Sequence, residues 1–143
     1  MGEVISRSTA WARENPERVK AQSDKRKKTL RGNANYKVAA ARARARKKGL
    51  EFDIDIDFIV DLYEAQGGLC NLTGKKMRYS GKKGTSEMHD SFSIDRIDST
   101  RGYTRCNVQL VCWGVNCMKN NMTMEQFFDF TRSLYHFNGL GED

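Results

Sequence analysis

The sequence predicts an α+β fold: a strand, a loop, a second strand and a short helix over residues 93–119, flanked by helices and preceded by a basic helical arm. Three observations lead there. Phe92-Ser93-Ile94-Asp95 and Asn107-Val108-Gln109-Leu110-Val111-Cys112 are short strand-like runs separated by turn residues. The segments after Asp55 and Thr123 carry apolar residues at the helical period. The charge is also segregated. Residues 1–49 hold 15 Lys/Arg against 4 Asp/Glu, a net +11, and residues 50–143 hold 10 against 14, a net −4. The whole excess of +7 therefore lies in the first third.

A chain of 143 residues with 38% apolar and 30% charged side chains suits one compact domain with an appendage. No apolar run approaches the ~20 residues of a membrane span, and the start MGEVISRSTAW lacks the apolar stretch of a secretory signal. Membrane channels, transporters and secreted disulfide scaffolds are excluded on these grounds, and a cytoplasmic protein is expected. The 4 cysteines then read as reduced thiols or metal ligands.

In chain order, residues 1–14 show no period and read as a loose lead-in. Asn15-Pro16-Glu17 starts a helix, with Asn as N-cap and Pro at the first helical position, running to about Leu30 and breaking at Gly32-Asn33. A second helix runs from Asn35 to Lys48 and stops at Gly49. Its Ala-Arg alternation spreads guanidinium groups around it, a helix that can lie along a phosphate backbone but cannot form a core by itself. Composition changes at Leu50, which sets the domain boundary: a basic nucleic-acid-binding arm over 1–49 and a folded domain over 50–143. Leu50–Ile54 alternates like a short strand, and Asp55 caps a helix to about Gln66 that Gly67-Gly68 stops. Residues 69–74 form a tight turn, 75–90 a polar loop, and 98–105 a turn-rich loop between the two strands. A short helix spans Gly114 to about Asn120. Thr123 caps a last amphipathic helix with Phe127, Phe128, Phe130, Leu134 and Tyr135, followed by a frayed tail.

Polar residues fall at telling places in the strand–loop–strand–helix unit. Asp95 ends the first strand, Asn107 opens the second, and Asn116 and Lys119 lie one helical turn apart. A carboxylate and an amide oxygen brought together are hard ligands that suit Mg²⁺, which keeps its other positions for water and substrate phosphate. Taken singly, each of these residues equally serves a turn or a cap.

The stretch Ile94-Asp95-Arg96-Ile97-Asp98, with Gly102-Tyr103, Asn107-Val108, Asn116-x-x-Lys119 and the preceding Gly68-Leu69-Cys70-Asn71-Leu72-Thr73-Gly74, resembles the HNH nucleases (ββα-metal or His-Me finger), especially free-standing phage and homing members. The likeness covers about residues 50–132. It implies a ββα-metal domain and a Mg²⁺- or Mn²⁺-dependent DNA endonuclease, of phage or bacterial-host origin, leaving 5′-phosphate and 3′-hydroxyl ends on double-stranded DNA. Carried over, Asp95 and Asn116 are metal ligands, Asn107 braces the loop, Lys119 is a phosphate or structural contact, and Arg96 completes the catalytic set. Because one such site cuts one strand, double-strand cutting implies a homodimer.

Arg96 stands where the family carries its general-base His, and a guanidinium cannot accept a proton near neutral pH. Asp98, His89 or metal-bound hydroxide could act instead, Arg96 could clamp the phosphate, or cleavage could be lost. Many relatives hold structural zinc with two Cys-x-x-Cys pairs. Here Thr73 and Val115 replace one member of each, so Cys70 and Cys112 read as buried apolar groups. The expected DNA-gripping cations are Lys25, Arg26, Lys27, Lys28, Arg31, Arg42, Arg44, Arg46, Lys47, Lys48, Lys82 and Lys83. Rival readings are a non-catalytic DNA-binding module on a degenerate HNH fold and a basic interaction protein.

Overall fold

The computed structural model describes residues 7–141, without the side chains of residues 7–9, 26 and 27. The expected grips Arg26 and Lys27 thus lie outside the described side chains. Helix α1 (Arg7–Glu14) occupies part of the segment read as a loose lead-in, and α2 (Pro16–Lys27) follows after Asn15. The amide of Asn15 donates to the carbonyl of Trp11 at 3.0 Å, which closes the last turn of α1. No described side chain of α2 is buried.

Helix α3 (Leu30–Lys48) begins earlier than the sequence suggests. Thr29 is its N-cap, accepting from the Gly32 N–H at 3.1 Å, so the chain breaks before Thr29 and Gly32-Asn33 lies inside the helix. Gly49, at φ +64°, ends it in a left-handed C-cap. Ala34, Val38, Ala41 and Ala45 recur at i, i+4, i+7 and i+11 and are all buried. Its alanine stripe belongs to the same apolar cluster as Ile59, Phe92 and Leu110, so the helix shares a core with the rest of the molecule. Small side chains let the backbone approach closely, while the intervening arginines spread over exposed flanks. Two of these lie on rings of the rest of the molecule, Arg42 over Phe52 at 5.1 Å and Arg44 over Tyr103 at 5.8 Å.

The expected strand at 50–54 is a single bridge between Phe52 and Tyr103. It is held by close backbone approach, with the Tyr103 N–H donating to the Glu51 carbonyl at 2.9 Å. A Cβ on Gly102 would fall 2.2 Å from that carbonyl oxygen, so only glycine fits. Asp55 caps α4 (Ile56–Ala65) by accepting from the Phe58 N–H at 2.7 Å. Ile59 and Tyr63 face the core, and the Tyr63 hydroxyl donates to the Met77 carbonyl at 2.9 Å. A single turn, α5 (Ser86–His89), interrupts the polar loop.

Strands β1 (Phe92–Arg96) and β2 (Val108–Cys112) form an antiparallel hairpin in which Phe92 faces Cys112 and Asp95 faces Gln109. Every residue of β2 is buried. Helix α6 (Trp113–Lys119) leaves β2 directly, and α7 (Met124–Phe137) starts at a capping box made by Thr123 and Gln126. The stripe expected on α7 is covered only at Phe127, and residues 128–141 are all exposed. The tail is not frayed over its described part, because Leu140 donates back to the Tyr135 carbonyl at 3.1 Å around Gly139. Among the described residues, no helix is long and apolar enough to cross a membrane.

Candidate active site

A cleft of about 850 Å³ opens between the hairpin, α6 and α3. Asp95, Arg96 and Asn116 all line it, together with Ser93, Tyr103, Trp113 and Asn120. The elements explain the convergence. Asp95 and Arg96 are the last residues of β1, whereas β2 ends opposite Phe92, so α6, which follows it without a linker, runs back along β1 until Asn116 meets Ser93 and Lys119 meets Asp95.

Asp95 is buried and gripped from two sides. Lys119 Nζ donates to its Oδ1 at 3.1 Å, and Gln109 Nε2 donates to its Oδ2 at 2.9 Å. Gln109 is itself held by Asn71 Nδ2, which donates to its Oε1 at 2.7 Å. Lys119 is fully buried and also donates to the Arg96 carbonyl at 3.0 Å. Both of its described contacts are within the protein. Asn116 Nδ2 donates to Ser93 Oγ at 2.7 Å, and its side-chain Oδ1 accepts no hydrogen bond from the described residues.

Asn107 ties the loop between the strands. Its Oδ1 accepts from the Asp98 N–H at 2.9 Å, and its Nδ2 donates to the carbonyls of Asp98 at 3.0 Å and Gly102 at 2.9 Å. That loop carries Tyr103, whose ring lies 5.2 Å from the Arg96 guanidinium and whose hydroxyl accepts from Arg44 Nε at 3.1 Å. Arg96 also donates to the Arg101 carbonyl at 2.9 Å.

Two residues considered as alternative bases lie outside the cleft lining. Asp98 is exposed and turned onto its own loop, accepting from the Thr100 hydroxyl at 2.6 Å and N–H at 2.9 Å. Those bonds, the hydroxyl first, hold its carboxyl below the usual range. His89 packs on Trp113 with ring centroids 5.7 Å apart and lines a separate apolar pocket with Phe127 and Phe128.

Of the expected DNA-gripping residues, Arg44 and Lys83 line the cleft. Lys25, Lys28, Arg31, Arg42, Arg46, Lys47, Lys48 and Lys82 are exposed elsewhere, and Arg31 is paired with Asp57 at 2.7 Å. The sequence reading missed Lys37, which α3 places in the cleft seven residues before Arg44, two turns up the same face. Burial first, then Arg44, lowers its amine to about 8. Gln109 was missed as well, though its place opposite Asp95 follows once the hairpin register is known.

A hard divalent cation fits this donor set. Asp95 keeps a lone pair on each oxygen beyond its present bonds, and Asn116 offers an unengaged amide oxygen. An ion held by these two residues would keep its other positions for water and phosphate. Among the described residues, no three His, Cys, Asp or Glu side chains converge as a metal cluster. Cys70 and Cys112 are buried against each other, the Cys112 N–H donating to Cys70 Sγ at 3.2 Å, and burial first of all pushes the Cys112 thiol up to about 11.

No protein-family model and no curated protein matches the chain. Among solved structures, that of the rare-cutting HNH restriction endonuclease PacI is similar, at a TM-score of 0.53 and 19% identity over 74% of this chain and 81% of that one. The chain is thus similar in fold to an HNH restriction endonuclease, with a mixed helical and two-stranded architecture around the cleft.

Proposed function

We propose that this protein is a Mg²⁺- or Mn²⁺-dependent DNA endonuclease that leaves 5′-phosphate and 3′-hydroxyl ends. The observation that carries the reading is that Asp95 and Asn116 line the same cleft as four cations, on a fold similar to that of an HNH nuclease. Asp95 and Asn116 would hold the divalent ion, whose chemistry is charge stabilisation at the scissile phosphate and the departing 3′ oxygen.

The chain's own groups do the rest. Arg44, Lys37 and Lys83 draw the DNA backbone into the cleft. Arg96, fixed by the Arg101 carbonyl and the Tyr103 ring, retains free N–H donors and clamps a phosphate oxygen rather than accepting a proton. Asn107 keeps the loop under Tyr103 and Arg96 in place, so it acts as a positioning residue. Cutting both strands would take two copies.

Supercoiled plasmid incubated with Mg²⁺ or Mn²⁺ tests the reading. Wild type should nick it and Asp95→Ala should not, whereas equal nicking by both rejects the proposal. Arg96→Ala should lose activity if the guanidinium clamps the phosphate. A gain with Arg96→His would mean that the wild type lacks its base. One observation favours a second reading, a non-catalytic DNA-binding module: the residue at position 96 cannot act as a base. Metal-independent DNA binding without cleavage would select it.

A further inference from the structure

The Asp95 carboxylate already has a counter-ion. Lys119 is fully buried, donates to Asp95 Oδ1 at 3.1 Å, and is anchored by the Arg96 carbonyl at 3.0 Å. The pair is neutral as a unit, and Asn116, the other oxygen donor, carries no charge. Lys37, Arg44, Lys83 and Arg96 line the same cleft, against Asp24 as the one further acid among its lining residues.

A free divalent cation entering this cleft meets an acid already paired with Lys119, an uncharged amide and four lining cations. Mg²⁺ and ions like it give up hydration water reluctantly and are usually held by carboxylates together with substrate phosphates. A DNA strand in the cleft changes both terms, neutralising the surrounding cations and offering phosphate oxygens as further ligands.

We infer that Lys119, by keeping Asp95 neutralised, makes metal loading depend on bound nucleic acid. The inference rests on the nuclease reading. Lys119 acts through Asp95, so it is a positioning residue and not a catalytic one. The same coupling must appear from both sides: DNA tightens metal binding by the factor by which metal tightens DNA binding. Gln109 and Asn71 hold the other carboxylate oxygen still throughout.

Mn²⁺ titrations followed by electron paramagnetic resonance, which counts free Mn²⁺, test this on the full chain alone and with a short duplex in excess. The Asp95→Asn complex subtracts Mn²⁺ held by the DNA itself. For wild type, Mn²⁺ should bind at least about tenfold tighter with DNA present, within the usual range of coupling between sites. Lys119→Met should tighten Mn²⁺ binding to the DNA-free protein and shrink the DNA dependence, while Lys119→Arg should keep it. A purely structural lysine would lower thermal stability without raising metal affinity.

Equal Mn²⁺ affinity of wild type with and without DNA overturns the inference and leaves the nuclease reading standing. This arm needs no variant, so it holds even if Lys119→Met fails to fold. DNA-dependent binding that Lys119→Met leaves unchanged removes the assignment to Lys119. Mn²⁺ binding identical in wild type and Asp95→Asn overturns the inference and the metal site together.

Discussion

Lys37 is the residue whose charge is most open to adjustment. It sits in the cleft with its ammonium over the Phe92 ring at 4.9 Å and its amine lowered to about 8 by burial and then by Arg44. Below that pH it is a cation available to a phosphate, and above it the free protein has lost the charge. DNA affinity should therefore fall as pH rises past about 8, where ordinary lysines are still charged. Binding there must take up a proton. Fluorescence anisotropy at fixed salt should show this slope in wild type and a flatter one in Lys37→Met; equal slopes would remove Lys37 from the binding surface. For stability the sign is reversed. The folded state disfavours the charged amine, so this cost is relieved as pH rises from about 8 toward 10.5.

Among the elements, α3 carries two functions on two faces. Its alanines pack into the core, and Lys37 and Arg44 line the cleft. The close approach makes the alanine positions intolerant of bulk. Ala41 has no exposed surface, so Ala41→Leu should cost about 1–3 kcal/mol by overpacking, read from the urea midpoint. Arg46→Ala, on the exposed flank, should stay within about 0.5 kcal/mol. Comparable losses for the two would mean that the stripe is not packed as described. Element identity was legible where caps and turns are local, as at Asp55, Thr123 and Gly49. It was not legible where a stripe of small residues hid among arginines, because alanine carries little hydropathy and reveals its burial only against a partner. The start of α3 was misread for a related reason: Thr29 supplies the capping oxygen, and an interior glycine weakens a helix without ending it.

For the whole molecule, the basic surface and the folded body overlap. Residues 1–28 contribute cations but, among their described side chains, none that is buried, whereas residues 30–48 contribute both. Removing residues 1–28 should leave cooperative unfolding intact, weaken DNA binding and make its salt dependence shallower, with about 0.9 lost from the log–log slope for each phosphate contact removed. Removing residues 1–49 should abolish cooperative unfolding, since it strips Ala34, Val38, Ala41 and Ala45 from the core. Circular dichroism and anisotropy over a salt series read both; a stable protein lacking residues 1–49 would show that α3 is dispensable.

The candidate site divides the same way. The amino-acid order alone determined that an acid ends one strand, that asparagines open the next strand and sit on the following helix, and that the positive charge is concentrated ahead of them. These are local properties of spacing and side-chain type. Only the tertiary structure decided that Lys119 turns inward onto Asp95 and that Gln109 and Asn71 complete its grip. It also decided that His89 and Asp98 stay out of the cleft lining, and that α3 walls it. Burial and pairing depend on which surfaces meet, and residues 24 positions apart, such as Asp95 and Lys119, acquire a shared charge balance only when the chain brings them together.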